Sequence, residues 1–174
     1  MLHFTTERMQ VRDVRDQDAA AIFRLFTDPV CIQFIGDKGF TCEADALAYI
    51  HSGPQASYAE YGFGLWALVD KASDEVLGLA GLLQRPYLSY PDVGYALLPE
   101  WRGMGLASEA VGAVVDYAIN RLQQPHLLAM IDRDNQASIN VVTSLGFAFN
   151  GYLSVGQHIK RCNLYSLHGK IYPS

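Results

Sequence analysis

The segment 97–107 carries the residues of this chain best suited to chemistry. Its two glycines, Gly103 and Gly105, lack a Cβ atom, so the backbone there can adopt unusual dihedral angles and approach a ligand closely. A helical apolar pattern begins directly afterwards, so the N–H groups of the segment meet the positive end of a helix dipole. This arrangement suits an anion such as a diphosphate, and Arg102 adds a charged donor for phosphate oxygens.

The two best-known phosphate motifs do not fit this segment. A nucleotide-binding P-loop needs four residues between its glycines and a Lys-Ser/Thr pair after the second, and neither is present. A dinucleotide fingerprint needs a third glycine where this chain has Ser108. The alternative is an ordinary strand–turn–helix connection. As an anion site, the segment would contact its ligand through Leu97, Leu98, Arg102, Gly103, Met104, Gly105, Leu106 and Ala107.

A second motif lies downstream, where Asn135 and Ser138 open a helical stretch that ends in Leu-Gly-Phe at 145–147. Together the two motifs resemble the GNAT superfamily of N-acetyltransferases. The acyl-CoA loop of that family has the pattern Arg/Gln-x-x-Gly-x-Gly/Ala, which Arg102, Gly105 and Ala107 fill. The segments 6–12 and 78–82 further resemble the RimJ/RimL-type subgroup, which acetylates the N-termini of ribosomal proteins.

The resemblance implies a fold as well as an activity. It implies an α/β (α+β) domain with a mixed, mostly antiparallel central sheet flanked by helices, whose middle strands splay apart to admit the pantetheine arm of acetyl-CoA. We assign the splayed strands to 76–83 and 93–98. Unpaired backbone groups of Leu97 and Leu98 would then bond the pantetheine amides, much as an added strand would.

The resemblance also suggests catalytic roles. Ser138 would donate a proton or a hydrogen bond to the leaving sulfur, and Asn135 would bond the pantetheine chain; either residue could instead cap the helix. Many relatives outside the subgroup place a tyrosine four residues after this serine position, where this chain has Val142. Asp92 stands where the family often has an acidic residue facing the substrate; the alternative is a turn aspartate after Pro91.

The sequence offers no obvious general base, which bears on the amine acceptor. An α-amine has a reference pKa of about 8 and is partly neutral near pH 7, whereas a lysine amine near 10.4 is almost wholly charged. We therefore expect a protein or peptide N-terminal α-amine as acceptor. The alternatives are a small amine (antibiotic, polyamine or amino acid) or a non-catalytic module that binds CoA thioesters. Aromatic residues that could line an acceptor pocket, or belong to the core, are Phe34, Tyr87, Tyr90 and Tyr95.

Composition narrows the class of protein. A chain of 174 residues, 50% apolar and 18% charged, suits one domain over 1–174. A net charge of −5 without a Lys/Arg run argues against a nucleic-acid partner. Three cysteines without metal or redox spacing, and no apolar run of spanning length, lead us to expect reduced thiols, no metal, no membrane contact and a cytoplasmic location. The sequence does not reveal the oligomeric state.

Periodicity predicts alternating helices and strands. Helices are expected to end at Asp28-Pro29 and to cover 43–51, 106–122 and 138–145, and strands to lie near 9–12, 63–69, 76–83, 93–98, 127–131, 147–153 and 162–168. The pair Gly53-Pro54 is expected to stop the second helix.

Overall fold

Eight strands form one mixed sheet in the computed structural model, which describes residues 1–155 and 160–168. The strands are β1 (Leu2–Thr5), β2 (Met9–Arg12), β3 (Leu65–Asp70), β4 (Val76–Leu83), β5 (Asp92–Leu97), β6 (His126–Asp132), β7 (Ala148–Val155) and β8 (Lys160–His168). Their order across the sheet is β1-β2-β3-β4-β5-β6-β8-β7, and only β5 and β6 are parallel. The predicted fold class, a mostly antiparallel sheet flanked by helices, is confirmed.

Six α-helices accompany the sheet in the described part of the chain. They are α1 (Ala19–Thr27), α2 (Pro29–Phe34), α3 (Glu43–Ile50), α4 (Ala56–Tyr61), α5 (Leu106–Asn120) and α6 (Gln136–Ser144). The predicted helix over 106–122 is confirmed as α5. No helix in the described ranges is long and apolar enough to cross a membrane.

Alternating side chains of the central strands build a core on each face of the sheet. On β3, Trp66 and Leu68 pack in the core that includes the buried face of α5, whereas Ala67 and Val69 pack in the core that includes α1 and α3. This alternation follows from the two-residue period of a strand, and burial on both faces explains why β3 reads as a continuous apolar run. The central strands are thereby held between two helical layers.

The splay of the sheet lies between β5 and β6, one strand further along than the sequence suggested. Strands 76–83 and 93–98, assigned as the splayed pair, are instead paired over six residues, from Gly78 opposite Leu97 to Leu83 opposite Asp92. Strands β5 and β6 share a single ladder pair, Asp92 with Leu128. Strands β4 and β5, which follow each other along the chain, keep full antiparallel pairing. Strands β5 and β6, which the α5 crossover joins, diverge.

The helices near Pro54 and Pro29 differ from the helices that the sequence predicted. The helix over 43–51 does not stop at Pro54, because the chain continues through a π-helical segment, His51–Gln55, into α4. A π turn displaces the backbone that a proline ring would otherwise meet. Pro29 starts the unpredicted helix α2, since a first-turn proline loses no helical bond, and Asp28 caps it by accepting from Cys31 N at 3.0 Å.

Candidate active site

Asp92 marks the point where β5 and β6 separate. The Leu128 N–H donates to the Pro91 carbonyl at 2.9 Å, as in a parallel ladder. The next N–H on β6 that faces β5, that of Met130, donates to Oδ1 of Asp92 at 2.8 Å instead of continuing the backbone ladder on β5. A carboxylate has therefore replaced a carbonyl at the apex of the gap.

The other oxygen of Asp92 is occupied as well. Its Oδ2 accepts from Nε of Arg85 at 2.6 Å, and the aspartate is 1% exposed. Burial raises the pKa of Asp92, while Arg85 and the Met130 N–H oppose that rise. Asp92 is thus the first residue of β5 and holds the two halves of the sheet together, so its interpretation as a turn aspartate is wrong. Its predicted catalytic role stays a prediction.

The glycine-rich loop has the backbone that the sequence predicted. Gly103 and Gly105 both lie in the left-handed region, with φ of 74° and 75°. Gly105 is the N-cap of α5, and the first helical bond runs from Glu109 N–H to the Gly105 carbonyl at 3.2 Å. The N–H groups of Leu106 and Ala107 precede that bond, so the helix itself gives them no acceptor. These donors are available to an anion.

The side chains around the loop differ in exposure. Met104 is 55% exposed, whereas Leu106 is buried and anchors the first turn of α5 in the core. Contacts of Met104, Leu106 and Ala107 with an anion would therefore be made through their backbone N–H groups.

The guanidinium of Arg102, predicted as a phosphate donor, has two protein partners in this structure. Its Nε donates to the Leu97 carbonyl at 2.9 Å and its Nη2 to the Asp28 carboxylate at 2.7 Å. The carboxylate that caps α2 competes for the guanidinium, so Arg102 ties α2 to the end of β5. Its backbone position in the loop remains a predicted contact.

A different arginine, which the sequence did not single out, lies beside the loop. Arg8 donates through Nη1 to the Met104 carbonyl at 2.8 Å and through Nε to Glu109 at 2.7 Å. Its Nη2 is 3.6 Å from the position that a Cβ on Gly105 would take. Because a peptide unit is planar, holding the Met104 carbonyl also fixes the direction of the Gly105 N–H. Glu109 completes this clamp by accepting from the Thr6 hydroxyl at 2.5 Å.

The backbone groups of β5 that face the gap differ from those that the sequence led us to expect. The Leu98 N–H bonds the Leu77 carbonyl at 2.9 Å, and the Leu97 carbonyl is taken by Arg102. The expectation of unpaired groups is therefore wrong for the Leu98 N–H and the Leu97 carbonyl. Alternate residues of an antiparallel strand face the same neighbour, so the N–H of Leu97 and the backbone of Tyr95 face the diverged β6. These are the candidates for an added-strand contact.

Ser138 faces the gap from the opposite wall. Asn135 is the N-cap of α6, and its side chain accepts from the Ser138 N–H at 3.1 Å. Of the two caps the sequence allowed, the structure has Asn135, and Ser138 is the third helical residue. The Ser138 hydroxyl lies 3.0 Å from that of Tyr95 on β5, and burial raises the pKa of Tyr95. The phenol thus stays protonated near neutral pH and can donate.

One cavity of about 340 Å³ joins these groups. Asp92, Tyr95, Asn135 and Ser138 line it on the side of the gap, together with Asp132 at the end of β6. The cavity is also lined by Phe34 of α2, by Lys38 in the loop after α2 and by Tyr87 in the loop between β4 and β5. Phe34, Tyr87 and Tyr95 therefore do line a pocket, while Tyr90 packs edge-on against His126. Within residues 1–155 and 160–168, no three His, Cys, Asp or Glu side chains are grouped so as to hold a metal ion.

Comparison with known proteins decides the family. The chain matches the model for the acetyltransferase (GNAT) domain over residues 8–148. It is 30% identical over 152 residues to YoaA, an uncharacterized N-acetyltransferase of Bacillus subtilis (strain 168), with 85% of this chain and 84% of YoaA covered. The chain belongs to the GNAT acetyltransferase family. It is an N-acetyltransferase that takes its acetyl group from acetyl-CoA.

Solved structures that resemble this GNAT acetyltransferase differ in the acceptor they are named for. RimL, a ribosomal L7/L12 α-N-protein acetyltransferase solved with coenzyme A, has a TM-score of 0.81 at 15% identity and covers 97% of this chain and 98% of its own. Spermidine N-acetyltransferase from Vibrio cholerae, solved with CoA and spermine, has a TM-score of 0.76 at 15% identity, with 92% and 95% covered. At such identities the likeness establishes the fold alone.

Proposed function

We propose that this chain acetylates an α-amine, with the N-terminal amine of a peptide or protein as the acceptor that the site suits best. The supporting observation is that Asp92, the carboxylate nearest the apex of the gap, is engaged on both oxygens, by Met130 N–H and by Arg85. It is therefore poorly placed to take a proton from a charged lysine. An α-amine, already partly neutral near pH 7, needs the least help.

The donor would be held by the backbone of the loop and of β5. Acetyl-CoA supplies a thioester, an acetyl group activated for transfer to nitrogen. The N–H groups of Gly103 to Ala107 at the positive end of α5 suit its diphosphate, and the N–H of Leu97 suits its pantetheine amides. Asn135, whose side-chain oxygen already accepts from Ser138 N–H, retains its amide N–H groups for the same ligand.

Ser138, assisted by Tyr95, would donate a proton or a hydrogen bond to the leaving sulfur. The overall reaction forms an N–C bond, breaks a C–S bond and moves one proton from the amine to the sulfur. With Val142 in place of a tyrosine on α6, the Ser138 hydroxyl would donate to the sulfur, and Tyr95, 3.0 Å away, can donate to Ser138 in turn. This pair would play the part that a lone tyrosine plays in other relatives.

A small amine is the second candidate, favoured by the limited cavity of about 340 Å³. A non-catalytic CoA-binding module is less well supported, because Asn135 alone provides the cap of α6 and the Ser138 hydroxyl is directed at Tyr95. The RimJ/RimL-type resemblance and the expected preference for α-amines both favour an N-terminal amine as the acceptor.

The test measures release of free thiol from acetyl-CoA against peptides with free and with acetylated N-termini, over pH 6 to 10. We expect activity only with free N-termini and a kcat/KM that levels off near the pKa of the acceptor, about 8. Asp92→Asn and Asp132→Asn should keep that profile. Loss of the alkaline rise in either variant, or a preference for internal lysines, would show that the site contains a dedicated base.

A further inference from the structure

Lys38 is the cavity-lining residue whose charge the proposed chemistry leaves unexplained. It lies in the loop between α2 and α3, and its Nζ is 5.5 Å from the ring centroids of both Phe26 and Tyr49. Lys38 is exposed as a whole, and desolvation of its ammonium against the rings, with the nearby Arg85, lowers the pKa of Lys38. Two aromatic faces therefore hold this cation at the wall formed by the helices.

Unlike the other cation of the cavity, Lys38 lacks an acidic partner among the described residues. Arg85 and Asp92 neutralise each other at 2.6 Å. Lys38 forms no ion pair with any residue in the described ranges, and its ammonium lies over two rings instead. The fourth charged lining residue, Asp132, ends β6 on the wall that carries Ser138, and its Oδ1 accepts from the Asp134 N–H at 3.0 Å. The cavity thus has a cation on one wall and an anion near the reacting groups on the other.

We propose that the acceptor is an amine bearing a carboxylate, and that Lys38 selects it by binding that carboxylate while the amine lies toward Ser138. This inference rests on the proposed function and narrows its substrate class. The carboxylate could belong to a free amino acid or to an acidic residue at a peptide N-terminus. A polyamine, which brings only positive charge, should be a poor acceptor because it meets Lys38 without compensation.

The experiment compares matched acceptors on the purified protein. Pentapeptide amides that begin with Glu, Gln or Lys but are otherwise identical, free glutamate and spermidine are assayed by thiol release. We expect the Glu peptide or free glutamate to exceed the Gln peptide by about tenfold in kcat/KM, the effect of one charged hydrogen bond. The Glu peptide and free glutamate distinguish the two sources of the carboxylate.

Variants assign that preference to Lys38. Lys38→Gln should abolish the Glu-over-Gln ratio, Lys38→Arg should retain it, and Lys38→Glu should reverse it toward the Lys peptide and spermidine. Arg121→Gln, which changes the same charge at an exposed residue outside the cavity, is the control and should behave as the unmodified protein. Calorimetric titration of the Glu peptide into protein saturated with CoA gives a readout without turnover and should follow the same order.

The outcomes separate the two proposals. Activity with peptides but an unchanged Glu-over-Gln ratio in Lys38→Gln would overturn the role of Lys38 and leave the α-amine proposal standing. A Lys38→Gln variant that weakens CoA binding with no effect on the acceptor ratio would place Lys38 in the donor site and also overturn it. No activity with any α-amine would overturn the proposed function itself.

Discussion

At the scale of single residues, α6 separates two roles that the sequence left interchangeable. Asn135 satisfies a helix N–H, and Ser138, three residues later, directs its hydroxyl at Tyr95 across the gap. Loss of a cap and loss of a reacting hydroxyl have different signatures, so the two positions can be tested against each other.

Ser138→Ala should lower kcat by about 100-fold or more with little change in the Kd for acetyl-CoA, because a donor to the leaving sulfur acts mainly in the transition state. Tyr95→Phe, which keeps the ring, should lower kcat by a smaller factor. Steady-state kinetics and calorimetric titration provide the two measurements.

Asn135→Ala is the matched control on the same turn. It should reduce the free energy of unfolding by about 1 kcal/mol, the usual cost of an N-cap, whereas Ser138→Ala should leave that free energy nearly unchanged. Equal kcat in Ser138→Ala and the unmodified protein would reject the catalytic role of the serine.

At the scale of elements, the loop before α5 depends on two left-handed glycines and on a clamp from the N-terminal strands. Gly105→Val should cost about 1–3 kcal/mol in stability because a β-branched residue is strained at φ of 75°. It should also weaken CoA binding by more than about tenfold, as the branched side chain lies where the diphosphate must approach.

Gly62 provides a matched control for that substitution. It has the same φ of 75°, no atom within 4 Å of an added Cβ, and a place at the end of α4, away from the loop. Gly62→Val should therefore show the strain without the loss of CoA affinity. If both variants bind CoA as the unmodified protein does, the assignment of the diphosphate site is wrong.

The clamp should make stability depend on pH through Glu109. Burial raises the pKa of Glu109, but the bonds from Thr6 and Arg8 outweigh it and hold that pKa below its ordinary value. A carboxylate with a depressed folded-state pKa adds stability above its unfolded pKa and loses it as the pH falls through the folded value.

Glu109→Gln should consequently lower the free energy of unfolding by about 1–2 kcal/mol at pH 7. Denaturant unfolding of both proteins from pH 7 to pH 3 measures the difference, which should shrink toward the acid end. A difference that stays constant over this range would mean that the charge of Glu109 does not hold the clamp.

At the scale of the whole molecule, the sheet consists of two parts, β1–β5 and β6–β8, joined by a single ladder pair and by the carboxylate of Asp92. A ligand lying between the two parts would bridge them and bind only the folded state. CoA at 100 times its Kd should stabilise the protein by about 2.7 kcal/mol, or raise Tm by about 5–10 °C.

Thermal unfolding with and without CoA tests this bridging. Gly105→Val should lose most of the shift, and Gly62→Val should keep it. A Tm that does not respond to saturating CoA would contradict binding in the gap.

The sequence by itself determined the features that depend on local chemistry. Paired glycines before an apolar helical pattern indicated the left-handed loop and α5, and alternating apolar residues indicated the central strands, because dihedral freedom and side-chain period are local properties. Two motifs in order were specific enough for the family. The residue types of Asn135 and Ser138 were identified, although which of them caps α6 was not.

Only the tertiary structure decided which groups meet. The gap between β5 and β6, the capture of Arg102 by Asp28, the pairing of Asp92 with Arg85 and the contact of Tyr95 with Ser138 each join residues from different elements. Strand divergence and side-chain partners depend on how elements pack, and no spacing along the chain encodes them. The role proposed for Lys38 also depends on tertiary structure, because the fold places the two rings and the cavity beside its ammonium.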